Sequence, residues 1–388
     1  MTANRPFWDE NPFVASWEGL PPLPGDTTAD VCVIGLGGSG LAAVAAAVEH
    51  GLSVVGVDAG RVAGRAAGRN GGFLIAGPED PLHTSIELWG EEAAVSLYRD
   101  TLAEIDRLAS LLGPRVVRRT GSIRLAGLPG DPLDEDEAAD RQRDVADCAL
   151  QAAAMRAHGI AVQEYGGDLG SGLFLPDDAA VNPARRVLGE VLAVAGSAVL
   201  HEQTRVTAIE AGRVTTERGV ISAAAVVVAA DGKLEALLPQ LVGRIRTARL
   251  QMVATAPVAA ARLPCPVYGR WGYDYAQQDP SGVIAIGGGR DRFAEDEWTH
   301  QDTPSEPIQQ YLDGVAARFA GEPVGITHRW AASVGFTEDG RPLCAQVEDG
   351  VVAAGGYNGT GNLVGPLTAR AALALALDGT PPPSYLQA

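Results

Sequence analysis

Lysine is almost missing from this chain: Lys233 stands alone among 30 basic residues, the rest being arginine. A phosphate-binding P-loop needs a lysine after its glycines and has none available here, and a Schiff-base enzyme would have only Lys233 to use. That residue follows "VVVAADG" and is expected at the surface, at the start of a helix. Cysteine is scarce as well. Cys32, Cys148, Cys265 and Cys344 are far apart, without a CxxC pair or a neighbouring histidine group, so reduced thiols and no structural metal are expected. No apolar run approaches the ~20 residues of a membrane helix. The first residues lack the basic start and apolar core of a signal peptide, so the expected location is cytoplasmic. Basic charge is in deficit: the net charge of −18 argues against nucleic acid or an anionic membrane as partner. No Ser/His/Asp or Cys/His arrangement stands out, the six histidines are scattered, and Glu338-Asp339 falls in the turn "TEDGRP".

What is present begins at "DVCVIGLGGSGLAAVAAAVEHGLSVVGVDAG", Asp30 to Gly60. An apolar run, three glycines at Gly35, Gly37 and Gly40, an alanine-rich stretch and a second apolar run ending at Asp58 spell strand, turn, helix, strand. The first glycine permits the tight turn, the second lets backbone approach a pyrophosphate, and the third lets helix and strand pack closely. The helix N-terminus then points at the phosphates, and Asp58 is placed to accept hydrogen bonds from ribose hydroxyls.

The rest of the chain supports two interleaved parts, which 388 residues can accommodate. Residues 1–28 read as an extended arm carrying Trp8 and Trp17. "RVAGRAAGRNGGFL" is a polar Gly/Arg loop. Helical spacing predicts a helix from His83 to Leu112, ended by Gly113-Pro114, and "TGSIRLAG" a strand. The acidic run "GDPLDEDEAAD" reads as a solvated loop leading into a helix that ends near Ala157. Asn182-Pro183 opens another helix as N-cap and first-turn proline. "TRVTAIEAGRVTTERGVISAAAVVVAADG" gives two alternating strands and a buried strand, Ala225 to Ala230, continuing the nucleotide-binding sheet. Residues 244–290 hold several β-like runs separated by turns, an antiparallel sheet, followed by a helix from about Ser305 to Phe319. The expected fold is therefore α/β, a Rossmann-like dinucleotide-binding domain with a mainly parallel sheet, interleaved with an α+β substrate domain on an antiparallel sheet. The first takes residues 1–82, 150–243 and 325–388; the second takes 83–149 and 244–324.

A second Gly-rich strand-to-helix turn, "GGYNGTGNLVGP", returns more than 300 residues after the first. A nicotinamide-linked dehydrogenase usually completes its cofactor site within one contiguous domain, which disfavours that class here. A helix N-terminus near Gly361 and Asn362 would suit the pyrimidine end of a flavin, where negative charge develops on reduction.

Taken together, "VCVIGLGGSG…VVGVDAG", "AGRAAGRNGGF", "RVTAIE…VVVAADG" and "WAASVGFTEDGRPLCAQVEDGVVAAGGYNGTGNLVGP" resemble the FAD-dependent amine and amino-acid oxidase superfamily of D-amino acid oxidase, glycine oxidase and sarcosine oxidase. The "GRNGG" loop and the tryptophan-bearing arm are most similar to its γ-glutamylputrescine oxidase-like branch. The resemblance spans nearly the whole chain and implies extended FAD with its isoalloxazine between two domains. It puts the pyrophosphate on Gly35, Gly37 and Gly40, and the adenosine ribose on Asp58. Arg69, Asn70, Gly71 and Gly72 fall beside the flavin, Val206 at the adenine, and Gly356, Tyr357, Asn358, Gly359, Thr360, Gly361 and Asn362 near the pyrimidine ring.

The reaction it implies is hydride transfer from the carbon beside a neutral amine to flavin N5, giving an imine that hydrolyses. Its partners are then a small-molecule amine and either O2 or another electron acceptor. Candidate substrate residues are Tyr273 and Tyr275, which alternation in "YGRWGYDYAQQ" puts on one side of a strand, with Arg290 at the end of an apolar strand and Tyr357 in the flavin turn. Two departures bear on the substrate. Glycine and D-amino acid oxidases carry a carboxylate-clamping arginine three residues before the threonine of the "WAG…T" segment, and sarcosine oxidases carry their flavin-linked cysteine there; this chain has Val334. Non-covalent FAD and an amine with a remote polar end are expected, rather than a small α-amino acid. The lysine that assists oxygen in sarcosine oxidases is also absent from "GVIAIGGGR". An NAD(P)-linked dehydrogenase and a non-catalytic flavin-binding protein are the alternatives.

Overall fold

The computed structural model describes residues 4–387. The apolar run at the start of the chain becomes the strand Thr27–Ile34, in which Val31, Cys32 and Val33 are fully buried. Such a strand must be covered on both faces, as parallel sheets are. It pairs in parallel with Gly219–Val228 on one side and Val54–Val57 on the other. Val351–Gly355 and Val199–His201 extend the sheet in parallel on the two sides, and Leu343–Glu348 adds an antiparallel edge. Helices Gly38–Glu49 and Val364–Asp378, from opposite ends of the chain, pack against each other on this sheet.

With the hairpin Val206–Glu210 and Arg213–Thr216, which joins through Gly219–Val228, the first sheet has eight strands, and the second sheet also has eight, in the order Ile326–Phe336, Arg246–Thr255, Ile284–Gly288, Asp274–Gln278, Val267–Gly269, Ser122–Leu125, Gly170–Leu175 and Gln163–Gly167. All its pairings are antiparallel except Val267–Gly269 with Ser122–Leu125. Helix Glu306–Ala320 covers one face, burying Ile308, Leu312, Val315 and Phe319 as its spacing predicts. The other face looks toward the first sheet.

Several boundaries differ from the sequence reading. The strands of residues 163–175 and 326–336, expected with the dinucleotide-binding part, hydrogen-bond into the second sheet: one hairpin extends Ser122–Leu125 and the other strand pairs along Arg246–Thr255. Local pattern cannot reveal which sheet a strand joins. The helix expected over 83–112 is two, Leu82–Trp89 and Glu91–Leu112, because Gly90 takes φ +87°. Part of the arm is helical rather than extended: Phe7–Glu10 and Pro12–Ala15 form two helical turns, and no helix follows them before Thr27. The acidic run is half helix: Asp134 caps Glu135–Ala157, its side chain accepting from Glu137 N at 2.8 Å. The buried strand begins earlier than expected, at Gly219. The cap at Asn182 is as read, its side chain accepting from Arg185 N at 3.0 Å. All four cysteines are buried and free, and burial pushes the Cys32 thiol up to about 12.

Candidate active site

The turn after Thr27–Ile34 is shaped by its glycines. Gly35 has φ +94°, and a Cβ there would lie 2.6 Å from the Ala229 carbonyl oxygen. A Cβ on Gly40 would lie 1.8 Å from the Gly35 carbonyl oxygen, so this glycine lets the helix close onto the turn. Gly37 is open apart from Ala67 at 3.2 Å and faces a cavity instead. Asp58 pins the turn: one carboxylate oxygen accepts from Leu36 N at 2.9 Å, the other from Gly60 N at 2.8 Å. Desolvation raises its pKa against those two hydrogen bonds. Each oxygen keeps a lone pair for a further donor.

The cavity has a volume of about 640 Å³, within the range of cofactor sites. Gly37, Gly38, Ser39 and Asp58 line it, together with Arg205, Val206 and Thr207 and with Arg69, Asn70, Val334, Gly361 and Asn362. Arg186, which is 1 % exposed, also lines it. One guanidinium nitrogen donates to Asn362 Oδ1 at 3.0 Å, while Nη2 is buried with no hydrogen-bond partner beside Gly38. A buried guanidinium donor left open next to a helix N-terminus fits a phosphate oxygen, as FAD would bring. A cavity lined by a glycine turn, a ribose-competent carboxylate and an unpartnered arginine Nη2 suits a dinucleotide. Arg186 escaped the sequence reading because nothing local distinguishes it within the helix Pro183–Val194.

The Gly/Arg loop is held rigidly from several directions. Trp8 Nε1 donates to the Asn70 carbonyl at 2.8 Å, and Trp330 Nε1 to the Arg69 carbonyl at 2.7 Å. Arg69 donates to the Ala331 carbonyl at 2.8 Å. Asn362 Nδ2 donates to Asn70 Oδ1 at 3.0 Å and to the Phe73 carbonyl at 2.7 Å, joining the two Gly-rich regions. Asp231, with φ +45°, is a further hub that the sequence reading passed over. Its carboxylate accepts from the backbone N–H groups of Gly335, Gly356 and Tyr357 at 3.3, 3.0 and 3.2 Å. Burial raises its pKa to about 6, with those hydrogen bonds opposing. Lys233 caps the short helix Leu234–Leu237 and pairs with Asp302 at 3.2 Å; both line the cavity.

Not all residues expected at the cofactor reach the cavity. Gly35, Gly37, Asp58, Arg69, Asn70, Val206, Tyr357, Gly359, Gly361 and Asn362 line it. Gly40 instead packs on Gly35, Gly71 on the Tyr275 ring, and Gly72 on the Val181 carbonyl. Gly356 is tied to Asp231. Asn358 is turned inward, bonded to Thr337 N, the Gly340 carbonyl and the Gly356 carbonyl. Thr360 donates its hydroxyl to the Tyr357 carbonyl at 2.7 Å.

The substrate candidates also separate. Tyr273 is not on the strand with Tyr275: Arg270 and Trp271 have φ of +49° and +56°, and this turn leaves Tyr273 before Asp274–Gln278, 41 % exposed. Arg270, in the same segment, is buried in ion pairs with Asp274 and Asp291. Arg290 is not at the end of a strand, because Gly288 and Gly289 turn the chain into a short helical segment, Arg290–Phe293. Tyr275 lies against Gly71 and Gly287, with Phe73 edge-on at 5.8 Å. Tyr357 is buried beneath its turn, its hydroxyl without a hydrogen-bond partner. Val334, Ala332 and Ser333 form the second sheet's contribution to the cavity wall. No cysteine or histidine lines the cavity among the described residues, no metal-ligating group of three or more His, Cys, Asp or Glu occurs there either, and no helix is long and apolar enough to cross a membrane.

Known proteins resemble this chain over most of its length. The family model described as "FAD dependent oxidoreductase" (DAO) matches residues 30–375. A probable oxidoreductase, OrdL, from Rhizobium meliloti is 27% identical over 385 residues, covering 91% of this chain and 85% of that protein. Among solved structures, glycine oxidase from Geobacillus kaustophilus superposes with a TM-score of 0.69 at 21% identity, covering 90% of this chain and 94% of that one. L-Proline dehydrogenase from P. horikoshii gives 0.66 at 17%, covering 92% and 95%.

Proposed function

The chain belongs to the DAO family of FAD-dependent oxidoreductases, and from that membership we propose that it oxidises a primary or secondary amine, amino-acid derivatives included. The chemistry supplied by bound FAD is acceptance, at N5, of the hydride from the carbon bearing the neutral amine; the imine left behind is hydrolysed by water, and the electrons pass to O2 or another acceptor. The protein's part is to bind, orient and exclude water. Gly37, Ser39 and Arg186 would hold the pyrophosphate, Asp58 the ribose, and the rigid Arg69–Asn70 loop one edge of the ring system. Val334, an apolar side chain on the cavity wall, offers the flavin no nucleophile, which supports FAD held without a covalent bond.

The observation that carries the reading is the buried Nη2 of Arg186, left without a hydrogen-bond partner while Nε pairs with Glu190 at 3.2 Å, on a cavity lined from both ends of the chain. Val334 refines it: an apolar side chain on the cavity wall offers an α-carboxylate no bidentate partner. The test is anaerobic mixing of the purified protein with a panel of amines while the visible flavin band is followed. Bleaching by amines with a longer chain, with little by glycine or D-alanine, supports the proposal. A flavin that no amine bleaches points to a non-catalytic flavoprotein, and efficient turnover of glycine overturns the argument from Val334.

A further inference from the structure

Two arginines, Arg246 exposed and Arg290 half-buried, converge on one indole outside the residues that line the cavity. The Arg246 guanidinium carbon lies 4.2 Å from the centre of the Trp298 ring, and that of Arg290 lies 5.0 Å from the same ring and 4.3 Å from Phe336. Trp298 and Phe336 meet edge-on at 5.6 Å and form the shelf on which both cations rest. The shelf is fixed, because Glu297, next to Trp298, accepts from Arg249 at 2.7 and 2.9 Å and from Gln251 at 2.9 and 3.0 Å.

The position of this pair follows from strand register. Arg246 is directly opposite Phe336, and Ala248 opposite Val334. Opposed residues of an antiparallel pair share a face, and so do residues two apart. Arg246 and Phe336 therefore stand on the same face as Val334, which lines the cavity. Neither guanidinium makes an ion pair among the described residues, although 48 acidic residues outnumber 30 basic ones. Glu79 lies near enough to act on Arg290 and Tyr273 electrostatically, without pairing. Stacking uses the face of a guanidinium and leaves its in-plane N–H donors free, the geometry that grips a carboxylate.

We propose that Arg246 and Arg290 form the binding site for a carboxylate at the end of the substrate remote from the reacting amine, replacing from neighbouring elements the clamp that Val334 does not provide. This rests on the amine-oxidising reading above and names its substrate class: an ω-amino carboxylate, rather than an α-amino acid or a diamine.

The test uses the FAD-loaded full-length protein. Calorimetric titration with glutarate, a dicarboxylate probe that needs no turnover, is expected to show binding that weakens about tenfold in Arg290→Met and in Arg246→Met, the scale of one lost charge-assisted hydrogen bond. Arg290→Lys, which keeps the charge but loses the planar donor edge, is expected to fall between; flavin content checks that each variant is folded. In parallel, ω-amino carboxylates should bleach the flavin in preference to n-alkylamines and diamines of equal length, and this preference should shrink toward one in both Met variants. Glutarate that fails to bind, binds the variants equally, or binds no better than inorganic phosphate overturns the site. Equal reduction by alkylamines overturns it too, while leaving the amine-oxidising reading intact. If no amine reduces the flavin but glutarate binding depends on both arginines, the oxidase reading fails and the carboxylate site stands.

Discussion

Asp231 shows what one buried carboxylate can organise. It holds backbone N–H groups from Gly335 on the second sheet and from Gly356 and Tyr357 in the C-terminal turn. Asp231→Ala would leave these donors without an acceptor, a cost on the order of 1–3 kcal/mol for a buried group and more if several stay unpaired. The expected result is a lowered Tm together with weaker FAD binding, read by thermal unfolding with and without added cofactor; an unchanged Tm would remove Asp231 from this role. Val334 makes the complementary case. Because it stands on the cavity wall, Val334→Arg should introduce a carboxylate anchor and raise kcat/KM for glycine or D-alanine by at least about tenfold, roughly one charged hydrogen bond. Steady-state kinetics with both substrates would measure it. Asp58 was legible in sequence because it ends a strand at a fixed distance from a glycine turn. Arg186 and Asp231 were not, since their roles come from chain segments far away in sequence.

At the scale of elements, the two glycines that look alike in "GLGGSG" do different things. Gly40→Ala would drive Cβ to within 1.8 Å of a backbone oxygen, so the helix must move and the protein should be strongly destabilised or fail to fold. Gly37→Ala meets only the Ala67 methyl at 3.2 Å and should fold, yet lose FAD affinity because its Cβ enters the phosphate approach. Flavin content and circular dichroism of the two variants separate these outcomes; equal flavin retention in Gly37→Ala would count against the phosphate role. Most elements were readable because strand and helix periodicities are local. The exceptions share a cause. Tyr273 and Arg290 were assigned to strands that positive-φ residues interrupt, at Arg270 and Trp271 in one case and at Gly288 and Gly289 in the other. Gly90 split a helix in the same way.

Across the whole molecule, the cavity is assembled from residues 34 to 70, 186 to 237, 302 and 332 to 362, so it exists only in the folded chain. The fold class was legible because βαβ units and alternating strands carry their own signatures, whereas the partition between two sheets depends on long-range pairing. Buried carboxyls give the fold a pH dependence of definite sign. Burial raises Asp178 from 3.8 to about 7, against hydrogen bonds from Ala76 N and Ser122 Oγ. Between those values the folded state holds a proton that the unfolded state has lost. Stability from this group is therefore highest below about pH 4, falls as pH rises toward 7, and levels off above it, with a slope of at most about 1.4 kcal/mol per pH unit. Urea unfolding across that window should show a shallower dependence in Asp178→Asn; an unchanged slope would assign the effect elsewhere.

On the proposed function, glycine-rich turns from both ends of the chain hold one dissociable FAD. The visible absorption spectrum of the purified protein, repeated on the supernatant after acid precipitation, tests this. The expected result is a flavin spectrum that moves into the supernatant and is identified there as FAD. A protein that is colourless and takes up no added FAD, or one whose colour stays in the precipitate, would contradict it.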